Sequence, residues 1–169
     1  DCGFGVFTSA IEAGGSVRAI VAKNAASKLT RKEIDKLTEY VRGIGAKGLA
    51  FIRWADETPN CSFAKFLTED ELTALVSAMG VGEGDLALIV ADKNAVVFDA
   101  LGALRVHVAK KMDMIDKSKF NFLWVTEFPL FEYSEEEQRW VACHHPFTAA
   151  QDESYGIMLS DPAKAKARA

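Results

Sequence analysis

The sequence predicts a mixed α/β fold in which helices form a second layer against a sheet, and two observations favour it. Residues 1–112 alternate between short apolar runs, bounded by turn residues, and longer segments whose apolar residues recur every three or four positions. Hydrophobic residues make up 49% of the 169, which suffices to bury a core without crosslinks. Each helix would then bury its apolar stripe on the sheet, although alternation alone does not fix the strand order.

The first predicted elements are a strand at Ser16–Ala22 and a helix that begins at Thr30. Thr30 and Glu33 have the spacing of a capping box, in which the two side chains accept the free backbone N–H groups of a helix start. The apolar residues that follow share one face of this helix: Ile34, Leu37, Val41 and Ile44. Gly45 allows the helix to end, and residues 48–54 form the next predicted strand.

The same order of signals recurs further along the chain. Thr68 and Glu71 fit a second capping box, which opens a helix that ends at Gly80. Its inward-facing residues are Leu72, Leu75, Val76 and Met79. Residues 86–90 are continuously apolar and predict a buried strand. A third helix follows Asp92, with one apolar stripe: Val97, Leu101, Leu104 and Val108.

From residue 113 the pattern changes, and we expect a domain boundary near residue 112. Residues 120–133 are rich in aromatic side chains, residues 135–137 are acidic, and residues 139–148 are again strand-like, which predicts two long strands joined by an acidic loop. The resulting domains are 1–112 and 113–169, and the second is short for an independent core. We expect it to need a partner segment, and residues 161–169 to be loosely held. Both ends of the chain look like cuts.

Charge and cysteine content narrow the functional classes. The net charge of -4 gives no global positive field, so we expect no DNA binding, and any RNA contact must be local. Cys2, Cys61 and Cys143 are widely separated and odd in number, which favours reduced thiols in the cytoplasm. No apolar run approaches the roughly 20 residues that a bilayer requires, which argues against membrane insertion.

Three motifs have a structural interpretation that we prefer to the functional one. Residues 43–48 match GxGxxG, but a dinucleotide motif opens a helix and this one ends a helix, so it predicts a helix cap and turn. The carboxylates of Glu132 and residues 135–137 fit a solvated loop better than a metal site. Cys143 lies near histidines but has no orienting third group, so we interpret it as an ordinary strand cysteine.

The densest polar signal is His144-His145-Pro146-Phe147-Thr148, which contains two of the three histidines. Pro146 biases His145 toward extended backbone, so we expect the two imidazoles to diverge, one toward the core and one toward a cleft. An imidazole can donate a hydrogen bond to a carboxylate. These residues alone leave the function open, and His107 is expected to be a surface or packing residue of the third helix.

The longer context resembles a known family. FLWVTEFPLFE at 122–132 and VACHHPFT at 141–148 closely resemble, in order and spacing, the segment that follows the inserted domain of bacterial aspartyl-tRNA synthetases. GAKGLA at 45–50, AKFL at 64–67 and ALGALR at 100–105 resemble the GAD insertion of those enzymes, as do residues 5–7, 19–20 and 29–31. Glu127 stands where the family often has Asp, and Cys143 where it often has Met.

The resemblance implies a two-layer GAD domain of the DCoH-like type in residues 1–112, followed by strands of a class II synthetase antiparallel sheet in residues 113–169. It further implies a cytoplasmic, homodimeric ligase in protein biosynthesis, which uses ATP and Mg²⁺ to activate L-aspartate and transfers it to tRNA(Asp). His144 is similar to the family residue that contacts L-aspartate, with His145 beside it. No catalytic residue and no metal ligand is expected in this chain.

The family's phosphate-binding arginine motifs have no equivalent in residues 1–169, so we expect the isolated chain to be inactive and to bind neither ATP nor Mg²⁺. Two other interpretations account for less of the sequence. A free-standing GAD-type module that binds tRNA or a protein partner does not account for residues 124–148, whose aromatic strands it would expose. An unrelated small α/β enzyme would lack a complete catalytic set.

Overall fold

The computed structural model describes residues 3–145 and 147–168 and divides the chain into two compact units, Asp1–Asp116 and Lys117–Ala169. The described residues of the first, unit 1, form four α-helices and four strands: α1 (Gly5–Glu12), β1 (Ser16–Ala22), α2 (Arg31–Ile44), β2 (Ala50–Arg53), β3 (Asn60–Cys61), α3 (Glu69–Met79), β4 (Leu86–Asp92) and α4 (Asn94–Lys111). The second, unit 2, contains β5 (Phe131–Ser134) and β6 (Arg139–Ala142). Short 3-10 turns occupy Ala64–Phe66, Asp152–Ser154 and Pro162–Lys164.

The sheet of unit 1 has the strand order β1-β4-β2-β3, with every pairing antiparallel. β4 is flanked by β1 and β2 and is almost completely buried, as its continuous apolar run predicted. The register opposes Ser16 to Asp92 and Ala22 to Leu86. Because side chains alternate between the faces of a strand, the apolar run of β4 supplies both faces of the sheet.

One face of the sheet carries the larger core. Leu86, Leu88 and Val90 of β4 pack there with the apolar stripes of α2 and α4. The buried residues that the two helices contribute are Ile34, Leu37, Val41, Val97, Ala100, Leu101, Leu104 and Val108. The inward faces predicted for these two helices are therefore confirmed, and so is the mixed α/β fold class.

The opposite face carries a second apolar cluster that includes an unpredicted helix. Phe7 of α1 and Val76 of α3 pack with Ala87 and Ile89 of β4 and with Phe63. α1 is hard to predict from sequence, because it is short, has no side-chain cap and starts at a glycine. Its stability derives from tertiary contacts such as the edge-to-face packing of Phe7 on Phe63, whose ring centroids are 5.0 Å apart.

Of the two predicted capping boxes, the one at Thr68 is confirmed and the one at Thr30 is wrong. At α3, Thr68 accepts the backbone N–H of Glu71, whose carboxylate accepts the N–H of Thr68, so the predicted box is formed. At α2 the helix begins after Thr30 as expected, but no side-chain cap forms there. The Glu33 carboxylate instead pairs with Lys36 at 2.8 Å and with Lys111 of α4. Gly45 ends α2 with φ 114°, as the helix-cap interpretation of residues 43–48 requires.

Unit 2 differs from its prediction in strand length. The acidic turn is present, but each strand of the hairpin has four residues, and residues 120–128 are not part of a strand. An extended segment needs a neighbouring strand to satisfy its N–H and C=O groups, and the described part of unit 2 provides none for these residues. The expectation of a loose C-terminus is wrong for residues 161–168, because Ala165 and Ala167 are buried against Leu130.

Candidate functional site

The histidine pair lies just past the end of β6. The backbone N–H of Cys143 donates to the carbonyl oxygen of Leu130 at 3.1 Å, which ties the start of this segment to the chain before β5. The His144 imidazole is exposed and packs against the Phe128 ring, with centroids 4.2 Å apart and planes inclined at 38°. His144 thus combines an accessible imidazole with one supported ring face.

His145 makes a different set of contacts. Its carbonyl oxygen accepts the N–H of Thr148 at 2.8 Å, and its Nδ1 accepts the N–H of Phe147 at 3.3 Å. Because Nδ1 is an acceptor, a neutral His145 carries its proton on Nε2. The intervening Pro146 lies outside the described residues. The local turn therefore uses one nitrogen of His145 and leaves the other as a donor.

Neither imidazole is buried, which corrects the expectation that one would face the core. That expectation assumed a strand as far as residue 148, with side chains alternating between its faces. The strand ends at Ala142, and Cys143 and His144 form a bend. Each histidine consequently packs on its own aromatic neighbour, His144 on Phe128 and His145 on Phe147.

The segment that carries Phe128 is held by the C-terminal residues of unit 2. The carbonyl oxygen of Phe128 accepts the N–H of Ala167 at 2.6 Å, and the N–H of Leu130 donates to the carbonyl oxygen of Ala165 at 2.9 Å. Glu127, directly before Phe128, has φ 54°, a left-handed conformation that glycine, asparagine and aspartate adopt more readily than glutamate. These contacts place two chain segments behind His144.

Cys143 is not activated by its surroundings. Burial raises the pKa of the Cys143 thiol, and the negative charge of Glu132 raises it further. A nucleophilic cysteine needs the opposite shift, since the thiolate is the reactive form. This direction agrees with the interpretation of Cys143 as an ordinary cysteine.

The acidic turn of the hairpin is occupied by its own neighbours. Glu137 pairs with Arg139, its backbone N–H donates to Ser134, and the Gln138 side chain donates to the carbonyl oxygen of Glu135. Among residues 3–145 and 147–168, no three side chains of His, Cys, Asp or Glu come together in a way that could hold a metal ion. The turn is a solvated loop with internal ion pairing.

An exposed apolar run, residues 120–125, is the most unusual surface of unit 2, and we call it the aromatic segment. Phe122 and Trp124 are 95% and 94% exposed, and the other large apolar residues of the segment are exposed as well: Phe120, Leu123 and Val125. Burying one such side chain is worth about 1.5–3 kcal/mol, so a solvated run of this kind usually marks a surface that another chain segment covers.

Unit 1 has a separate concave feature that the sequence did not reveal. A cavity of about 740 Å³ lies between α1 and α3, over β1. Its lining is mainly apolar and includes Phe7, Ile11, Val17 and Leu75, with three charged members: Glu12, Arg18 and Glu71. None of the predicted site residues lies in it. Only the spacing of two helices over one sheet face creates it, and such spacing is not visible in a sequence.

The fold and the sequence together place the chain in a family. Residues 7–101, more than half of the chain, match the model of the GAD domain. The chain therefore belongs to the GAD domain family.

Curated relatives extend the similarity beyond that domain. The chain is 54% identical over its whole length to an aspartate–tRNA(Asp/Asn) ligase of Lachnoclostridium phytofermentans and 55% identical over its whole length to an aspartate–tRNA ligase of Clostridium beijerinckii. An aspartate–tRNA ligase of Clostridium botulinum strain Kyoto is 54% identical over 98% of the chain. The chain spans 28% of the length of each of these three relatives.

Within the described residues, no helix has both the length and the apolar character needed to cross a bilayer.

Proposed function

We propose that this chain is an internal part of a bacterial-type aspartate–tRNA ligase, with the GAD insertion domain in residues 1–112 and a partial class II catalytic core in residues 113–169. The observation that carries the proposal is the whole-chain similarity to ligases of which the chain spans 28%. The similarity includes unit 2, which lies beyond the matched GAD domain.

The aromatic segment supports the second half of this proposal. Phe122 and Trp124 would share one face of an extended strand, and Leu123 and Val125 the other, so both faces are apolar. A strand that is apolar on both faces is suited to the interior of a covered sheet. We infer that the remainder of the full-length ligase supplies the neighbouring strands and the covering layers.

The proposed reaction is activation of L-aspartate with ATP, followed by transfer to tRNA(Asp), in a cytoplasmic homodimer. ATP and Mg²⁺ would supply the phosphoryl chemistry in the full-length ligase, and among the described residues no group of three His, Cys, Asp or Glu side chains could hold a metal ion. We propose that other segments of the ligase hold ATP and Mg²⁺ and that this chain has a different role. Its contribution is substrate binding.

His144 is the residue that we propose to contact L-aspartate. Its imidazole is exposed, so an N–H can donate to a carboxylate of the amino acid without any movement of unit 2. His145 is the second candidate, because its Nδ1 is used by Phe147 and its Nε2 remains available. Neither residue acts as a nucleophile in this proposal.

The test is aspartate kinetics of the full-length ligase with His144→Ala. The KM for aspartate should rise more than the KM for ATP, because only aspartate loses a contact. His107→Ala is the matched control: His107 is also exposed, but it lies on α4, where its ring packs on Tyr40. Unchanged aspartate kinetics in His144→Ala would remove His144 from the site.

The isolated chain is expected to be inactive, because the cationic groups that stabilise a phosphoryl transition state would lie elsewhere in the ligase. Aspartate-dependent pyrophosphate exchange by the purified chain is the measurement, with the full-length ligase as the positive control. Exchange above background would contradict the proposed division of roles.

A second candidate is a GAD-type module that binds tRNA or a protein partner without catalysis. It is favoured by the two apolar clusters of unit 1, which give this unit a core of its own. A filter-binding assay of the chain with tRNA(Asp) distinguishes the two ideas, since the net charge of -4 predicts weak binding by the chain alone. Tight binding at physiological salt would favour the module.

A further inference from the structure

We propose that Phe128 is a positioning residue for His144, an inference that rests on the proposed role of His144 in binding L-aspartate. The two rings are 4.2 Å apart at their centroids and inclined by 38°. At this separation the phenyl ring covers one face of the imidazole and restricts its rotation. The other face and the ring edge of the exposed His144 remain available to a ligand.

The Phe128 ring is a fixed support because the backbone on its C-terminal side is held. Its carbonyl oxygen accepts the N–H of Ala167 at 2.6 Å, and the following Pro129 forms a bridge with Lys166. Phe128 also packs on the small core of unit 2, formed by Leu130, Ala150, Ala165 and Ala167. The phenyl ring therefore belongs to the ordered part of the unit.

The same backbone connects Phe128 to His144. Leu130 lies two residues after Phe128, and Cys143 lies directly before His144. The carbonyl oxygen of Leu130 accepts the N–H of Cys143 at 3.1 Å. Glu127 adopts φ 54° just before Phe128, a conformation that costs energy for a residue with a Cβ. Strained conformations persist where the surrounding structure determines them.

The consequence concerns binding. An exposed imidazole that rotates freely must be ordered when aspartate binds, and that ordering weakens affinity. Contact with Phe128 restricts the imidazole before aspartate arrives. Removing the ring should therefore raise the KM for aspartate and leave ATP binding unchanged.

Kinetics of the full-length ligase with Phe128→Leu and Phe128→Tyr test this. We expect Phe128→Leu to raise the KM for aspartate about two- to tenfold, the effect of losing one aromatic pair, with the KM for ATP unchanged. Phe128→Tyr keeps the ring and should retain the parent values. In a His144→Ala background, Phe128→Leu should add nothing, since the two residues act as one unit. Independent, multiplying effects would overturn the inference.

A second readout is the spectrum of ¹³C-labelled histidine in the same proteins. The ring current of Phe128 should shift the His144 signal, and this shift should disappear in Phe128→Leu and persist in Phe128→Tyr. If Phe128→Leu lowers the melting temperature markedly, Phe128→Met replaces it as a variant of similar volume without a ring. An unshifted His144 signal in the parent would exclude the contact.

These measurements separate the two proposals. A raised aspartate KM in His144→Ala together with a normal one in Phe128→Leu overturns the positioning role and leaves the site intact. A normal aspartate KM in His144→Ala overturns the proposed site, and the positioning role, which depends on it, then falls as well.

Discussion

Units 1 and 2 have similar fractions of apolar residues but bury them to different extents. Unit 1 buries its large apolar side chains on both faces of one sheet, with Leu86 and Leu88 fully enclosed. The buried core of unit 2 consists of Leu130 and three alanines, with Phe128, Phe131 and Met158 partly buried against it, while other large side chains, including Phe122 and Trp124, are exposed. Apolar content is thus a poor guide to which part of a chain forms its own core.

The difference indicates what each unit requires from other chain segments. In unit 1 every strand of the sheet has a partner, and helices cover both faces. The described part of unit 2 has one two-stranded hairpin, an arrangement that is marginal by itself in water. We therefore expect unit 1 to dominate the stability of the chain, and the aromatic segment of unit 2 to matter only when other segments cover it.

The largest expected effect is that of a cavity in the core of unit 1. Leu88→Ala should lower the free energy of unfolding by about 2–5 kcal/mol, the usual loss for a fully enclosed leucine. Urea titration followed by circular dichroism at the helix wavelength measures it, since the α-helices of the described chain belong to unit 1. Trp124→Ala in unit 2 is the control and should change the value by less than about 0.5 kcal/mol. Equal losses would refute the comparison.

The second effect concerns a buried carboxylate of unit 1. Asp85 accepts hydrogen bonds from the N–H groups of Asn24 and Gly82 and pairs with Lys23 at 2.7 Å. Asp85→Ala should lower the free energy of unfolding by about 1–3 kcal/mol at neutral pH, because buried donors lose their acceptor. Asp152→Asn in unit 2, which breaks an exposed pair with Arg168, should cost less than about 1 kcal/mol.

At acidic pH the parent and Asp85→Ala should differ less in their free energy of unfolding than at neutral pH. Burial raises the pKa of Asp85, but hydrogen bonds from Lys23, Gly82 and Asn24 outweigh burial and hold the pKa below its ordinary value. Asp85 therefore binds a proton more readily in the unfolded chain than in the folded one. Its contribution to the free energy of unfolding is complete above the unfolded pKa of about 4 and is lost as the pH falls through the pKa of the folded state. Urea titrations between pH 7 and pH 3 measure it. A constant difference would contradict the assignment.

The smallest expected effect is that of removing a helix cap, which tests whether helix ends contribute to the stability of unit 1. Thr68→Ala removes a formed cap and should cost about 0.5–2 kcal/mol, whereas Thr30→Ala removes no cap bond and should cost less than about 0.5 kcal/mol. The same urea titration compares the two variants. A larger loss for Thr30→Ala would mean that the cap at α2 forms in solution.

Much of unit 1 follows from sequence because its signals are local. The strands at Ser16–Ala22 and Leu86–Asp92, the apolar stripes of α2 and α4, and the positive φ of Gly45 depend on periodicity and turn chemistry. The cap predicted at Thr30 does not form, and the Glu33 carboxylate pairs instead with Lys36 of the same helix and with Lys111, which is distant in sequence. Lys111, together with Lys36, lowers the pKa of Glu33 to about 2.

The sequence predicts which residues form the candidate site, but it does not predict how their side chains are arranged. The motif and its resemblance named His144 and His145, and their role in binding L-aspartate remains a prediction. The contact of His144 with Phe128 joins residues 16 positions apart through a hairpin whose strands are shorter than expected. No local sequence pattern predicts such a contact.

Local sequence patterns are enough to predict the mixed fold class, the inward faces of the main helices, the acidic turn and the histidine pair, because each depends on neighbours within a few positions. Long-range packing sets the strand order, the second core under α1, the pairing of Glu33 with lysines in place of a helix cap, and the ring that supports His144. These features depend on which distant segments meet, and that outcome is settled by competition among many contacts of comparable energy.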